Sequence, residues 1–282
     1  MNDVGNIQWF PGHMTKTRRL IEADLKMVDA VVEITDARIP ESSRNPILDE
    51  LVKDKPRIIL MNKCDYADEA ATRAWKQFYE KKGIRVLTCD CRSGKGLNAF
   101  LPEVKRLLAE LIERRKKRGM IGKALRLMVV GIPNVGKSSF INRMAKTKKT
   151  KVGDKPGVTR GKQWVSIDKD VELLDMPGIL WPKFDDQLAA QRLAFTGAIK
   201  DDVMDTEALA RALGAVLKEQ YPELLNARYK LSGDEDILRD MAKSRGMLVS
   251  GGEPDTERAA AALLDEYRGG KIGRITLEKP GK

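Results

Sequence analysis

Residues 125–145, LRLMVVGIPNVGKSSFINRMA, join an apolar run to a glycine-containing loop and then to a stretch with helical spacing. Residues 131–138 fit the pattern G-x-x-x-x-G-K-[ST], in which backbone N–H groups at a helix start surround phosphate. Gly131 and Gly136 let the backbone wrap the phosphates, Lys137 reaches the terminal phosphates, and the Ser138 hydroxyl can bind Mg²⁺. The apolar run before the loop and the helix after it favour a true phosphate loop over a chance match.

The surrounding sequence predicts a parallel α/β sheet. Three β-branched runs, AVVEIT, RIILMN and IRVLTC, precede the phosphate loop, and a stretch able to form a helix follows each of them. WVSID and VELLDMPG come after it as two further strands. From about residue 185 onward only helical patterns are convincing, such as TEALARALGAVLKEQ. We therefore predict an α/β domain over residues 1–184 and a small all-α domain with a short tail over residues 185–282.

The stretch MNKCD at residues 61–65 indicates which base the site takes. The carboxylate of Asp65 can accept hydrogen bonds from the ring N–H and the exocyclic amine of guanine, Asn62 can meet the other edge of the ring, and the stem of Lys63 can cover its face. Adenine lacks the donors that Asp65 requires, which disfavours an ATPase or a kinase. The alternative, a solvent-facing turn, weakens because a phosphate loop lies in the same chain.

Two further segments fit a site for the γ-phosphate. In DMPG at 175–178, Asp175 can hold the shell of a Mg²⁺ ion, and the Gly178 N–H can sense the γ-phosphate. In PGVT at 156–159, a loop could bring the Thr159 hydroxyl to the metal, although the same four residues also fit a plain turn. In an ordinary GTP-binding domain the phosphate loop precedes the base-reading segment, so the motif order is reversed here.

The motifs NKCD, CRSGKG, GIPNVGKS, PGVT and DMPG, in that order, are similar to those of the circularly permuted GTPases. The flanking IQWFPGHM, DARIPESSRNP and PGILWPKF resemble the ribosome biogenesis GTPase A family. The resemblance implies a circularly permuted Ras-like P-loop GTPase domain followed by a small all-α domain, binding GTP or GDP with Mg²⁺. It also implies a role in late assembly of the large ribosomal subunit, with hydrolysis stimulated by the ribosome and driving release.

Joining the old chain ends and opening the chain elsewhere can preserve such a site, because the ends of a compact domain lie close together. The expected GTP-binding residues are Asn62, Lys63, Asp65, Asp90, Cys91, Asn134, Val135, Gly136, Lys137, Ser138, Ser139 and Gly178, and the expected Mg²⁺ ligands are Ser138, Thr159 and Asp175. The chain leaves the GTPase domain just after DMPG, which suggests that residues 179–184 couple the nucleotide state to the helices.

Two departures from common GTPases affect base reading and catalysis. Cys91 and Arg92 stand where many GTPases have Ser-Ala, which leaves a backbone contact from Asp90 and Cys91 to the base. Ile179 follows DMPG where Ras-type switches carry a water-orienting Gln, and an Ile side chain cannot hydrogen-bond water. The family resemblance implies His13 as the replacement, beside Lys137 and Thr159 as catalytic residues. A helix-start or RNA-contacting role for His13 remains the alternative.

Asn134 matches a position at which related GTPases bind K⁺, an ion that could supply the charge of an arginine finger. The resemblance alone implies this role. Otherwise Asn134 is a loop amide that shapes the turn.

The charge distribution points to a polyanionic partner. The chain of 282 residues has a net charge of +11. Residues 1–180 hold 36 Lys and Arg against 23 Asp and Glu, whereas residues 181–282 hold 16 against 18. Basic runs at 16–19, 114–118 and 146–151 favour contact with rRNA phosphates, although each run alone could be a solvated face.

Composition limits the remaining classes. Three cysteines and one histidine have no spacing for structural zinc, so we expect reduced thiols. No apolar run is long enough to span a membrane and no targeting segment is recognisable, so we expect a cytoplasmic monomer without a membrane partner. An RNA-binding assembly chaperone, with GTP mainly as a structural ligand, is the rival interpretation, and Ile179 favours it.

Overall fold

The computed structural model describes residues 14–52, 55–120, 122–146, 163–178, 186–199, 204–233 and 236–281. Five sequence predictions fall outside these ranges: the role of His13, the role of Thr159 in PGVT, the coupling segment 179–184, the domain boundary at residue 184, and all but Lys146 of the basic run 146–151.

The α/β part is built on one six-stranded sheet. Its spatial order is β3-β2-β1-β4-β6-β5, and only β5 runs antiparallel to its neighbour. In chain order the strands are β1 (Ala30–Asp36), β2 (Arg57–Asn62), β3 (Arg85–Thr88), β4 (Leu125–Val130), β5 (Gln163–Asp168) and β6 (Val171–Asp175). The central strand β1 is buried along its whole length, which suits its mostly apolar and β-branched sequence, and its one mid-strand charge, Glu33, pairs with Arg44 and Arg57.

The sheet order confirms the predicted permuted fold. Strand β4 carries the phosphate loop and comes fourth in the chain, yet it lies between β1 and β6 near the middle of the sheet. If the chain instead began at β4, ran through β5 and β6 into β1, and ended at β3, the spatial order of the strands would be unchanged. The connection that makes this possible runs from β3 through α4 (Phe100–Leu107) and α5 (Ala109–Lys117) to β4. The stretch predicted to be helical there is divided into two helices at the buried Leu108, whose ψ of 17° is not helical.

Helices cover both faces of the sheet. On one face, α1 (Met14–Leu25) and α2 (Pro46–Leu51) pack on β1, β4 and β6 through a cluster that includes Ile21, Leu48, Val31, Met128 and Leu174. On the other, α4 and α6 (Lys137–Lys146) pack through Phe100 and Phe140, whose rings meet edge to face at 5.0 Å. Helix α3 (Glu69–Lys81) covers β2 and β3 with Trp75 and Tyr79.

The second part of the chain is helical, as predicted. It contains α7 (Gln187–Phe195), α8 (Thr206–Gln220), α9 (Pro222–Tyr229), α10 (Ile237–Ser244) and α11 (Thr256–Arg268). Four of these helices begin at an aspartate whose carboxylate accepts a backbone N–H of the first turn, namely Asp186, Asp205, Asp236 and Asp255. Such caps stabilise a helix start by about 1 kcal/mol each.

The helices share one apolar core with the sheet. Leu209, Leu213 and Leu263 belong to the same buried cluster as Val32 and Leu127. After α11 the chain runs back over the α/β part, where the Ile275 N–H donates to the Tyr66 carbonyl at 2.9 Å. The domain boundary at residue 184 stays a prediction, since residues 179–185 lie outside the described ranges. None of the helices in the described part of the chain is long and apolar enough to cross a membrane.

Candidate nucleotide site

The candidate residues lie at the edge of the sheet where the parallel strands end. The phosphate loop follows β4, the base-reading loop 62–66 follows β2, the loop 89–96 follows β3, and Asp175 ends β6. Ligands of open α/β sheets bind at this edge, because the loops after neighbouring strands converge there.

The phosphate loop has a backbone that side chains would obstruct. Gly131 and Gly136 have φ angles of 156° and 105°. A Cβ on Gly131 would lie 2.6 Å from the Ile34 carbonyl oxygen, and one on Gly136 would lie 2.3 Å from Nδ2 of Asn62. Both glycines are therefore required by close approach as well as by φ.

Lys137 is buried at the start of α6, and its ammonium donates to the carbonyls of Gly131 at 3.0 Å and Ile132 at 2.8 Å. Burial lowers the pKa of Lys137 to about 8, against the opposing effect of the Asp175 carboxylate. Phosphate oxygens would compensate the buried charge, which is the role expected of this lysine. The next two residues, Ser138 and Ser139, are exposed at the helix start, where their hydroxyls can reach a ligand.

The DMPG segment lies against the phosphate loop. A Cβ on Gly178 would be 3.0 Å from Nζ of Lys137 and 3.0 Å from Cα of Pro133. Burial raises the pKa of the Asp175 carboxyl, and Lys137 opposes that shift. Ser138 and Asp175 together offer two oxygen ligands, and no group of three His, Cys, Asp or Glu able to hold a metal occurs among the described residues. This set suits Mg²⁺, which keeps several waters and takes phosphate oxygens as further ligands.

Asn62 ties three loops together, a role that the sequence did not predict. Its side chain is buried and donates from Nδ2 to the Val135 carbonyl at 2.7 Å, while Oδ1 accepts the Cys91 N–H at 2.9 Å. The base-reading loop is thereby joined to the phosphate loop and to the loop after β3.

Asp65 has the property expected of a base reader. Its Oδ1 is buried and has no hydrogen-bond partner among the described residues. An acceptor left buried without a donor costs free energy, which a ligand N–H would recover.

Lys63 holds its loop in an unusual conformation, with φ of 59°. Its ammonium lies 2.9 Å from Oδ2 of Asp36, the last residue of β1. Burial opposes ionisation of Asp36, but Arg38 and Lys63 outweigh it and hold the pKa of this carboxyl well below its ordinary range. The ammonium position leaves the stem of Lys63 able to cover a base.

Arg38 links this region to the helices and was not predicted as part of the site. It is almost fully buried, pairs with both carboxylate oxygens of Asp36, and donates from Nη1 to the carbonyls of Tyr267 at 3.2 Å and Arg268 at 3.3 Å. The signal in the sequence was an Asp and an Arg two residues apart at the end of a buried strand, but it does not reveal the distant partners.

The loop after β3 is closed by its own residues. The Asp90 carboxylate accepts the N–H groups of Arg92 at 2.8 Å and Ser93 at 3.1 Å, and burial only partly opposes the resulting fall in its pKa. The Asp90 N–H donates to the Lys95 carbonyl, and the Cys91 N–H donates to Asn62. Both N–H groups are thus used within the protein, and a contact from Asp90 or Cys91 to the base stays a prediction.

Asn134 lies exposed in the phosphate loop with φ of 57°, and its Nδ2 donates to the Gly197 carbonyl after α7 at 2.7 Å. That bond fixes the amide so that Oδ1 is the atom left for a cation. The neighbouring Val135 is buried, and its carbonyl faces Asn62.

A phosphate loop, a guanine-type reading loop and an Asp-x-Pro-Gly segment, all at one edge of this sheet, define a P-loop GTPase with permuted motif order. The family described as 50S ribosome-binding GTPase matches residues 126–225. Ribosome biogenesis GTPase A of Bacillus licheniformis is 48% identical over 97% of this chain and 98% of the relative. The chain belongs to the ribosome biogenesis GTPase A family and is a GTP-hydrolysing enzyme.

Solved structures agree with this assignment. GNP-bound YlqF from T. maritima superimposes with a TM-score of 0.64 at 31% identity, covering 95% of this chain and 99% of that one. A GDP-bound YlqF structure gives a TM-score of 0.68 at 30% identity, covering 93% and 99%.

Proposed function

We propose that this protein acts as a cytoplasmic monomer in late assembly of the large ribosomal subunit, where the ribosome stimulates GTP hydrolysis and hydrolysis drives release. The buried, unpartnered Oδ1 of Asp65 carries the guanine part of this proposal. The names of the relatives support the ribosomal part.

The residues divide the work along the nucleotide. Asp65 reads the ring N–H and the amine of guanine, Lys63 covers the ring, and Asn62, with Asp90 and Cys91, holds the surrounding loops. Backbone N–H groups from Asn134 to Ser139 surround the phosphates, and Lys137 neutralises them. Mg²⁺ would be held by Ser138, Asp175 and Thr159, and when bound it supplies positive charge to the β- and γ-phosphate oxygens.

Hydrolysis requires a group that orients the attacking water, and Ile179 cannot do so. We assign that role to His13, with the Gly178 N–H sensing the γ-phosphate beside Lys137. We assign a K⁺ ion to Oδ1 of Asn134, since Nδ2 is already committed to Gly197.

Contact with rRNA is supported by the basic end of α5. Arg114, Lys116, Lys117 and Arg118 are exposed, whereas Arg115 is partly buried in an ion pair with Asp29. Cations at the C-terminal end of a helix also stabilise the helix dipole, which is the alternative explanation for this run. The surplus of 13 positive charges over residues 1–180, 36 Lys and Arg against 23 Asp and Glu, is larger than one helix end can explain and favours binding to phosphates.

Changing Asp65 to Asn tests the base assignment. Xanthine carries a carbonyl where guanine carries its amine, so an amide N–H at position 65 would suit xanthine and oppose guanine. We expect Asp65→Asn to lose affinity for GDP by about 100-fold and to gain affinity for xanthosine diphosphate, since a site built around a hydrogen bond rejects the wrong partner strongly. Asp265→Asn, at an exposed position on α11, is the charge-matched control. Unchanged GDP affinity in Asp65→Asn would contradict the assignment.

The ribosomal role is tested by GTP turnover with and without isolated large subunits, in potassium and in sodium buffer. We expect stimulation by the subunit, stronger in potassium, and loss of stimulation in His13→Ala. Tight GTP-dependent binding to the subunit without stimulation would instead favour an RNA-binding assembly chaperone.

A further inference from the structure

The last part of the chain forms an extended segment across the base-reading region. We call residues 270–278 the C-terminal strap. Its residues Ile272, Ile275, Thr276, Leu277 and Glu278 are each no more than 5% exposed, although none belongs to a helix or strand. A segment without secondary structure that is buried to this degree must satisfy its polar groups through other parts of the chain.

The C-terminal strap meets those needs partly at the base-reading loop. The Ile275 N–H donates to the Tyr66 carbonyl at 2.9 Å. The Arg274 guanidinium donates from Nε to the Asp65 carbonyl at 3.2 Å and reaches the Cys64 carbonyl at 3.5 Å. The Thr276 hydroxyl accepts the Asp68 N–H at 3.1 Å. Contacts thus reach the proposed guanine reader itself and residues on both sides of it.

Gly270 brings the C-terminal strap close to this loop. Its φ is 69°, and a Cβ there would lie 2.5 Å from the ring of Tyr66. The Tyr66 ring also lies near the guanidinium groups of Arg38 and Arg92, at 5.9 and 5.8 Å from its centroid. The residue after Asp65 is therefore packed between the C-terminal strap and the loop after β3.

The other end of the C-terminal strap is anchored on the loop after β1. The Leu277 N–H donates to the Arg38 carbonyl at 2.8 Å, and the Thr276 hydroxyl donates to the Ala37 carbonyl at 3.2 Å. The buried Glu278 carboxylate accepts the Glu41 N–H at 2.7 Å and the Ser42 N–H at 3.1 Å. These bonds fix the strap at a second point, outside the base-reading loop, so that it can hold that loop in position.

We propose that the C-terminal strap is a positioning element for guanine recognition and that Arg274 is its specificity-determining residue. The proposal rests on the guanine-reading role of Asp65. By holding the Asp65 and Cys64 carbonyls, Arg274 fixes the position of the base-reading loop. In that position the Asp65 carboxylate meets both the ring N–H and the amine of guanine. A binding group displaced by a fraction of an ångström loses much of a hydrogen bond, because these bonds depend steeply on distance and angle.

A strap that only braced the fold would behave differently from one that positions Asp65. If the strap only braced the fold, disrupting it would destabilise the phosphate loop and the base-reading loop together. Binding of every nucleotide would then weaken to the same extent. A positioning element affects guanine more than hypoxanthine, which has the ring N–H but lacks the amine. The affinity ratio between GDP and inosine diphosphate therefore separates the two roles.

The test compares Arg274→Ala with Lys271→Ala. Both changes remove one exposed positive charge from the same segment, but the described structure shows no hydrogen bond from the Lys271 side chain. We expect Arg274→Ala to weaken GDP binding about fivefold, the size of one modest hydrogen bond, and to weaken inosine diphosphate binding by less than about twofold. Lys271→Ala should bind both nucleotides like the unmodified protein. Unchanged GDP affinity in Arg274→Ala, or equal losses for the two nucleotides, would overturn the proposal.

A second variant reaches the same loop from the buried side. Thr276→Val keeps the side-chain shape and removes the hydroxyl that accepts the Asp68 N–H and donates to the Ala37 carbonyl. It should also narrow the ratio of GDP to inosine diphosphate affinity, and an unchanged ratio would again count against the strap. Asp65→Asn separates failure of the base assignment from failure of the strap proposal. If this variant still prefers guanine, the base assignment fails. If it switches to xanthine while the strap variants keep the normal ratio of GDP to inosine diphosphate affinity, only the strap proposal is refuted.

Discussion

Replacing Asn62 by Ala should separate the three loops of the nucleotide site. The amide donates to the Val135 carbonyl at 2.7 Å and accepts the Cys91 N–H at 2.9 Å, and it is 3% exposed. Alanine leaves both backbone groups buried without a partner, at about 1–3 kcal/mol each. We therefore expect the free energy of unfolding to fall by about 2–6 kcal/mol, which for a chain of this length corresponds to a decrease in melting temperature of roughly 3–10 °C.

The nucleotide affinity should fall as well, because the loop that carries Asp65 would no longer be joined to the phosphate loop. We expect the Kd for GDP to rise at least about tenfold, equivalent to about 1.4 kcal/mol. Thermal unfolding without nucleotide and titration with GDP measure the two effects separately. Asn98→Ala, at an exposed position, provides the control.

A double-mutant cycle sharpens the argument. A Cβ at position 136 would lie 2.3 Å from Nδ2 of Asn62, so Gly136→Ala collides with this amide in addition to straining a backbone with φ of 105°. Asn62→Ala removes the collision and leaves the strain. The combined variant should therefore be more stable than the sum of the two single losses implies. Additive losses, or an Asn62→Ala protein with normal melting temperature and GDP affinity, would refute the bridging role.

Two further predictions concern titratable groups. Because burial lowers the pKa of Lys137 to about 8 and bound phosphate restores its charge, calorimetry at pH 8 in buffers of different ionisation enthalpy should show uptake of about half a proton when GDP binds. Lys137→Arg should show none, and absence of uptake in the unmodified protein would contradict the shift. Burial opposes ionisation of Glu266, but hydrogen bonds from Arg228, Arg245 and Tyr229 lower its pKa to about 2. Its stabilising effect is present above the unfolded pKa of roughly 4.3 and is lost as the pH falls towards 2. The difference in urea-unfolding free energy between the unmodified protein and Glu266→Gln should narrow over that range, and a constant difference would argue against it.

The sheet and the phosphate loop could be predicted because their signals are local. The strands β1, β2 and β4 are short apolar runs with flanking turns, and their predicted positions are confirmed within a residue or two. The glycines of the phosphate loop are demanded by backbone conformation, which a spacing pattern records directly. The motif order then determined the permuted topology, since each motif must lie at the end of its own strand.

The supports of the site could not be predicted in the same way, because they join residues far apart in the chain. The contact of Asn62 with the base stays a prediction, and the structure adds bonds from its amide to Val135 and Cys91 in two other loops. The C-terminal strap carries no motif, because the side chains of Arg274, Thr276 and Glu278 bond mostly to backbone groups of the α/β part, which every residue has. Arg38 looks from the sequence like a surface residue beside an aspartate, and only the fold brings the end of α11 over it.

The nucleotide site contacts the helical part of the protein at two places. The phosphate loop touches the end of α7 through Asn134 and Gly197, and the region beside the base touches the end of α11 through Arg38. Arg268 joins these two helix ends by donating to the carbonyls of Ala194 at 2.9 Å and Phe195 at 3.1 Å. If a bound nucleotide favours one packing of the helices, a partner that imposes that packing must, by linkage, raise the affinity for the same nucleotide. The phosphate loop and the region beside the base-reading loop thus contact the same group of helices, which follows β6 in the chain.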